Sequence, residues 1–246
     1  MAEGGVTMAL YGKIRDKIKQ PFRTAVIVAA GSSTRLGQDK LMLPLAGVPV
    51  LARTLRAFES CGMIDEIVLV TREDRLEEFA ALRDRFCIRK LTQVVKGGKT
   101  RAGSSLAGVM AASRKATIIA VHDGARPFVT PELIERVLRA AEKRQAAAPT
   151  LPLKDTVKEL RGDMLVRTPP REGLAAVQTP QAFQADLIRA ALKAATENKL
   201  SITDDCSAVE AVGLPIAAVE GDEENIKITT AMDVLLAEEI VRRREG

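Results

Sequence analysis

Continuous apolar β-type runs alternate with helix-period segments along most of this chain, a rhythm that calls for a mainly parallel sheet with helices on both faces. The first run, Thr24-Ala-Val-Ile-Val-Ala29, is unbroken by polar residues, the pattern of a strand covered on both sides. Further strands are predicted over 66–70, 91–95, 117–121 and 215–219. Leu51, Leu55 and Phe58 share a helical face over 50–60, and Leu76, Phe79, Leu82 and Phe86 share another over 75–86. A small-residue helix is expected over 101–112. Thr130 as N-cap and Pro131 in the first turn open one carrying Leu133, Val137 and Leu138. More helices are expected near 182–195, near 204–212 and from Thr230 to the end.

The rhythm breaks between Pro149 and Pro180, where five prolines interrupt short β-like pieces at 155–160 and 164–167. No core-forming helix fits there, so the segment reads as an antiparallel arm leaving the body, over about 152–172. Such an arm buries little of itself and wants a second subunit. Residues 1–22 read as a basic extension, with Ile14 and Ile18 one turn apart on a short surface helix ending before Pro21. Residues 23–246 then form a single domain, arm included.

Composition removes several function classes. No apolar run approaches about 18 residues, so a membrane span is not expected, and no apolar leader precedes the first strand. The three cysteines, Cys61, Cys87 and Cys206, are scattered and form no C-x-x-C, so three buried free thiols in a reducing cytoplasm are expected. His122 is the single histidine, which removes multi-histidine metal sites. Aromatic residues are 3% of the chain, too few for base-stacking platforms. The formal charge of +5 sits at the ends. Lys13, Arg15, Lys17, Lys19 and Arg23 outweigh Glu3 and Asp16 at one end, and Arg242, Arg243 and Arg244 outweigh Glu245 at the other. The body between is neutral, so no nucleic-acid-binding face is expected.

Ligands of parallel α/β sheets sit at the carboxyl ends of the strands, so the loops there carry the chemistry. Ala29-Ala-Gly-Ser-Ser-Thr-Arg35, followed by Lys40, offers close backbone approach and two cations to a polyphosphate. It contains neither G-x-G-x-x-G nor a Walker loop, and Gly98-Lys99-Thr100 fails as the latter because Gln93 stands where the first glycine belongs. Gly97-Gly-Lys-Thr-Arg101 with Ser104 opens a helix, a natural anion site. In His122-Asp-Gly-Ala-Arg-Pro127 an Asp follows a buried strand, and Arg126 either neutralises phosphate or pairs locally with Asp123. His122 itself reads as structural. Thr203-Asp204 equally suits an N-cap, and Lys227 in Asn225-Ile-Lys-Ile-Thr229 is weak alone.

In order and spacing these loops, with Asp155-Thr156 and Thr179-Pro-Gln181, resemble the 2-C-methyl-D-erythritol 4-phosphate cytidylyltransferases of the non-mevalonate isoprenoid pathway. The resemblance runs from about Thr24 to Arg242 and implies a Rossmann-like three-layer sandwich and a homodimer joined through the arm. It implies transfer of CMP from CTP to the polyol phosphate, with Mg²⁺ or another divalent cation held mainly by the CTP phosphates. Arg35 and Lys40 would stabilise charge on the α-phosphate, and Arg171 and Lys227 would position the acceptor. Ala29, Ala30, Gly31, Ser32, Gly97, Arg101, Ser104 and Asp123 would hold the nucleotide. Asp123, Arg126, Thr156, Thr179 and Thr203 would line the acceptor site. Ser33 stands where many members carry glycine, and Leu36 where methionine is frequent. The alternatives are a cytidylyltransferase for another polyol phosphate, such as ribitol 5-phosphate, and a non-catalytic nucleotide-binding module.

Overall fold

The computed structural model describes residues 21–31 and 39–246. The N-terminal helix expected before Pro21 lies outside them. The predicted alternation appears as β1 (Phe22–Val28), β4 (Glu66–Thr71), β5 (Leu91–Lys96) and β6 (Ala116–Asp123), all parallel in the order β5-β4-β1-β6. A small hairpin, β2 (Pro44–Leu45) with β3 (Val48–Pro49), precedes α1 (Val50–Ser60). The chain runs outward from β1 through β4 to β5, then crosses back to β6 on the other side of β1. The carboxyl ends of β1 and β6 therefore flank the point where the winding reverses, which in such sheets opens a crevice.

Side-chain alternation along the strands sorts two cores. Ala25, Ile27, Ile67 and Leu69 face Leu51, Leu55 and Phe58 of α1 and Leu133, Val137 and Leu138 of α5 (Pro131–Arg144). Val26, Val68, Val70, Ile119 and Val121 face Val109 of α4 (Arg101–Ala111) and Ile188 and Leu192 of α6 (Ala185–Glu197). Burial on both faces is why these strands read as unbroken apolar runs. The helix expected over 75–86 forms as two short pieces, α2 (Leu76–Ala80) and α3 (Leu82–Arg85), which still bury Phe79 and Leu82. Cys61 and Cys206 are buried as expected, but Cys87 is exposed in the turn after α3, with a positive φ of 56°.

The region of prolines contributes more to the body than expected. Ala146–Pro152 forms β7 and Gln181–Gln184 forms β11, which inserts antiparallel between β6 and β7. Ala182 and Phe183 thus belong to a strand and not to the helix expected from 182; that helix, α6, starts at Ala185. Ala175–Val177, β10, continues the same line against Thr150–Pro152, and β12 (Ala217–Glu220) pairs parallel with β7. What projects is 153–174, tipped by the two-stranded hairpin of β8 (Glu159–Arg161) and β9 (Met164–Arg167). Its Leu160, Met164 and Leu165 are 63–65% exposed. Asn225–Thr229 is irregular, and α8 (Ala231–Glu245) follows with Thr230 as its N-cap.

Candidate active site

A cavity of about 420 Å³ opens where the winding reverses, between the carboxyl ends of β1 and β6. Ala29, Ala30 and Gly31 form one wall, Gly98 to Arg101 with Ser104 another, and Lys40, Asp123 and Lys227 converge on it. Glycine is required at position 97: a Cβ there would stand 2.7 Å from the Ala30 Cβ and 2.8 Å from the Ser104 Oγ. That close approach brings the backbone of the two loops together beside the cavity. The Thr100 hydroxyl caps α4 by accepting from the Gly103 N–H at 3.0 Å, which aims the helix N-terminus at the same space.

Asp123 is the electrostatic centre. Its Oδ2 lies 2.9 Å from Lys227 Nζ and 3.6 Å from Arg126 Nε, and its Oδ1 lies 3.6 Å from Arg101 Nη2. Burial alone would raise its pKa, but Lys227 and Arg101 outweigh burial and hold it down at about 2. Asp123 therefore gathers three cations, of which Arg101 and Lys227 reach the cavity wall and Arg101 is shared with Asp205 at 2.9 Å.

Lys40 and Lys227 are each placed by ordered backbone. The Asp39 carboxylate accepts from the Leu41 N–H at 3.0 Å and is itself held by Arg75 at 2.8 Å, which fixes the turn bearing Lys40. Lys227 sits between two anchored residues. Ile228 donates its N–H to the Ala125 carbonyl at 2.9 Å, and buried Asn225 donates from Nδ2 to the Thr179 carbonyl at 2.8 Å. Gln178 donates to the Asp222 carbonyl and accepts from the Asp222 N–H, tying down the same loop. Arg126 donates to the Asn225 carbonyl at 2.7 Å, so it braces that loop and does not line the cavity.

His122 is fully buried with both ring nitrogens engaged. Nε2 faces the Arg126 carbonyl at 3.2 Å, and since a carbonyl only accepts, that nitrogen carries the proton. Nδ1 then accepts from the Thr179 hydroxyl at 3.0 Å, and that hydroxyl oxygen accepts from the Asp123 N–H at 3.2 Å. Burial pushes the His122 pKa down to about 3, against the pull of Asp123, so the ring is neutral and structural. Thr179 likewise acts as a buried bracket behind Asp123 rather than as wall.

Several predicted residues are not gathered here. Ser32 and Arg35 lie outside the described residues, as do Ser33 and Leu36. Thr156 and Arg171 stand exposed on the projecting arm, where Arg171 donates to the Lys154 carbonyl at 3.0 Å. Thr203 is exposed and does not line the cavity; the N-cap of α7 (Asp205–Glu210) is Asp204, in a capping box with Ser207. Three buried polar residues that shape the site, Gln178, Gln181 and Asp205, were not singled out as site residues. Gln181 stood within a motif, and Asp205 followed the N-cap; neither position announces burial.

A doubly wound sheet whose reversal point holds a glycine-lined loop and converging cations is the setting of a nucleotide-binding site. Residues 24–243 match the family described as IspD, 2-C-methyl-D-erythritol 4-phosphate cytidylyltransferase. A protein of that name from Halalkalibacterium halodurans is 41% identical over 224 residues, 90% of this chain and 98% of the relative. Solved structures agree. The 4-diphosphocytidyl-2C-methyl-D-erythritol synthase of Anaerococcus prevotii superposes with a TM-score of 0.81 at 32% identity, covering 91% of this chain and 97% of its own. The 2-C-methyl-D-erythritol 4-phosphate cytidylyltransferase of Thermus thermophilus gives 0.74 at 35% identity, covering 88% and 98%. The chain belongs to the 2-C-methyl-D-erythritol 4-phosphate cytidylyltransferase family.

Proposed function

We propose that the chain transfers CMP from CTP to 2-C-methyl-D-erythritol 4-phosphate, giving 4-diphosphocytidyl-2-C-methyl-D-erythritol and pyrophosphate in isoprenoid precursor synthesis. The observation that carries this reading is the cavity at the reversal point, lined by Lys40, Arg101 and Lys227 beside the backbone of Gly31 and Gly98, with Asp123 holding Lys227 at 2.9 Å. A phosphomonoester oxygen of the acceptor attacks the α-phosphorus of CTP, a P–O bond forms, and the bond to pyrophosphate breaks. The nucleophile is already anionic, so the reaction needs no strong general base, which suits a neutral, buried His122. The barrier lies in bringing two anions together and in charge building on the phosphorus oxygens. Lys40, with Arg35 earlier in the same sequence motif, meets that charge. Lys227, held by Asp123, meets the acceptor phosphate.

The residues around the cavity, with Asp123 as its lining carboxylate, are compatible with a divalent ion carried on the nucleotide. Among the described residues no group of three or more histidine, cysteine, aspartate or glutamate side chains could hold a metal, and Asp123 is engaged by Lys227. Mg²⁺ bound to the CTP phosphates would neutralise and orient them. Thr156 and Arg171 serve the acceptor site in the proposed homodimer, where the arm carries them to the second subunit's cavity. No helix among the described residues is long and apolar enough to cross a membrane, and a cytoplasmic setting fits the free thiols.

The deciding experiment measures pyrophosphate release with CTP, Mg²⁺ and either 2-C-methyl-D-erythritol 4-phosphate or ribitol 5-phosphate. Release with the first acceptor and little with the second is expected. Equal or greater release with ribitol 5-phosphate would move the assignment to another polyol phosphate, and no release with either would leave a binding module.

A further inference from the structure

Asp205 is the first residue of α7, and its side chain is completely buried. Its Oδ2 accepts from Arg101 Nη1 at 2.9 Å, whereas the nearest approach of the same guanidinium to Asp123 is 3.6 Å. Arg101 thus faces two carboxylates and is committed to the one farther from the cavity's centre. The other Asp205 oxygen, Oδ1, and the hydroxyl of Ser105 on α4 are both buried without a hydrogen bond of ordinary geometry; burial pushes the Asp205 carboxyl up, and Arg101 and the neighbouring Ser105 hydroxyl pull the other way. A fully buried carboxylate is costly even when paired, and a core built for stability alone would hold an apolar residue there. Its surroundings are built to keep it: Gln181 accepts from the Asp205 and Cys206 N–H groups at 3.0 and 3.1 Å and donates to Asp204 at 2.7 Å. That clasp ties the start of α7 to β11, and so ties Asp205 to the sheet.

We propose that Asp205 is a positioning residue for nucleotide binding, acting through Arg101 by holding the guanidinium off Asp123. With Arg101 drawn toward Asp205, the short pair of Asp123 with Lys227 stands undisturbed at 2.9 Å, and the remaining face of Arg101 stays on the cavity wall. Without the Asp205 charge, the guanidinium relaxes onto Asp123. It then competes with Lys227 for that carboxylate and closes the nucleotide's side of the cavity. The inference rests on the reading of the cavity as a CTP site.

The test is calorimetric binding of CTP with Mg²⁺, together with steady-state KM for each substrate, in wild type, Asp205→Asn, Arg101→Ala and the double variant. Asp205→Asn is expected to weaken CTP binding and raise its KM by roughly ten- to hundredfold, the scale of one charged hydrogen bond. The acceptor KM should move much less. In the Arg101→Ala background the same substitution should change CTP affinity by less than about twofold, because the group it acts through is gone. An unchanged CTP affinity in Asp205→Asn, or an equal loss in both backgrounds, would overturn the proposal. Should Asp205→Asn not fold, Asp205→Ser carries the same expectations, and failure of both to fold would show that the carboxylate serves the core instead. Wild type that binds no CTP would sink the reading of the cavity, a result separate from these.

Discussion

At the scale of single residues, the site is a set of polar groups each committed by geometry to one task. His122 shows the consequence most directly. Folded, its pKa is about 3; unfolded, it returns to the usual value near 6.5. The unfolded state therefore takes up a proton more readily between these values, so the contribution of neutral His122 is complete above about pH 6.5 and is lost as pH falls toward 3. Asp123 adds loss of the same sign at lower pH, between its unfolded value and about 2. Stability from urea unfolding should drop by about 2 kcal/mol between pH 6.5 and pH 5 on account of His122. His122→Asn, which keeps an acceptor for the Thr179 hydroxyl, should flatten that slope. An equally steep slope in the variant would mean that another group titrates. The same logic explains what the residue alone discloses. His122 is identifiable as structural because a lone histidine after a buried strand has little to act with. Asp205 is not identifiable, because an Asp after an N-cap is ordinarily a solvated first-turn acid, and only the arrival of Arg101 from a distant helix makes it a buried partner.

At the scale of elements, legibility follows burial pattern. β1, β4 and β6 were readable because both faces are covered and their central residues are mostly β-branched, leucine or alanine. The boundaries of α1, the N-cap at Thr130 and the start of α8 close to Thr230 were also readable, since caps and periodicity are local. β7 was not: Ala146-Ala-Ala-Pro-Thr-Leu-Pro152 has little intrinsic strand preference and two prolines, and only pairing with β11 and β12 extends it. β11 was hidden because its Ala182 and Phe183 run straight into α6. The cavity's first loops were legible as motifs, yet the brackets behind them, Gln178 and Asn225, depend on contacts that sequence spacing does not encode. Packing of α4 on the sheet supplies a test at this scale. Gly108 lies against Val26 and Val70, and a methyl group at that position would collide with both side chains. Gly108→Ala ordinarily stabilises a helix interior by up to about 1 kcal/mol. Here overpacking should reverse the sign, for a net loss of roughly 1–2 kcal/mol in denaturant midpoint experiments at unchanged m-value. A stabilised variant would show that the helix can lift off the sheet freely.

At the scale of the whole molecule, the arm is the feature a lone chain explains least. Its hairpin is a separate two-stranded sheet, and such hairpins are marginal unless something covers them. Leu160, Met164 and Leu165 present their side chains largely to solvent, and Thr156 and Arg171 stand on the same projection without reaching this chain's cavity. A homodimer in which each arm lies against the other subunit accounts for both facts at once: it buries the apolar tip and delivers the two polar residues where an acceptor phosphate is expected. The proposed dimer predicts coupled losses. Leu160→Lys combined with Leu165→Lys should shift the sedimenting species from dimer to monomer at micromolar concentration and lower kcat for the polyol phosphate. CTP affinity should change little, because the nucleotide's side of the cavity is built within one chain. The melting temperature at concentrations where wild type is dimeric should also become independent of protein concentration. Wild type that sediments as a monomer throughout, with full activity, would remove the dimer and force Thr156 and Arg171 out of the acceptor site.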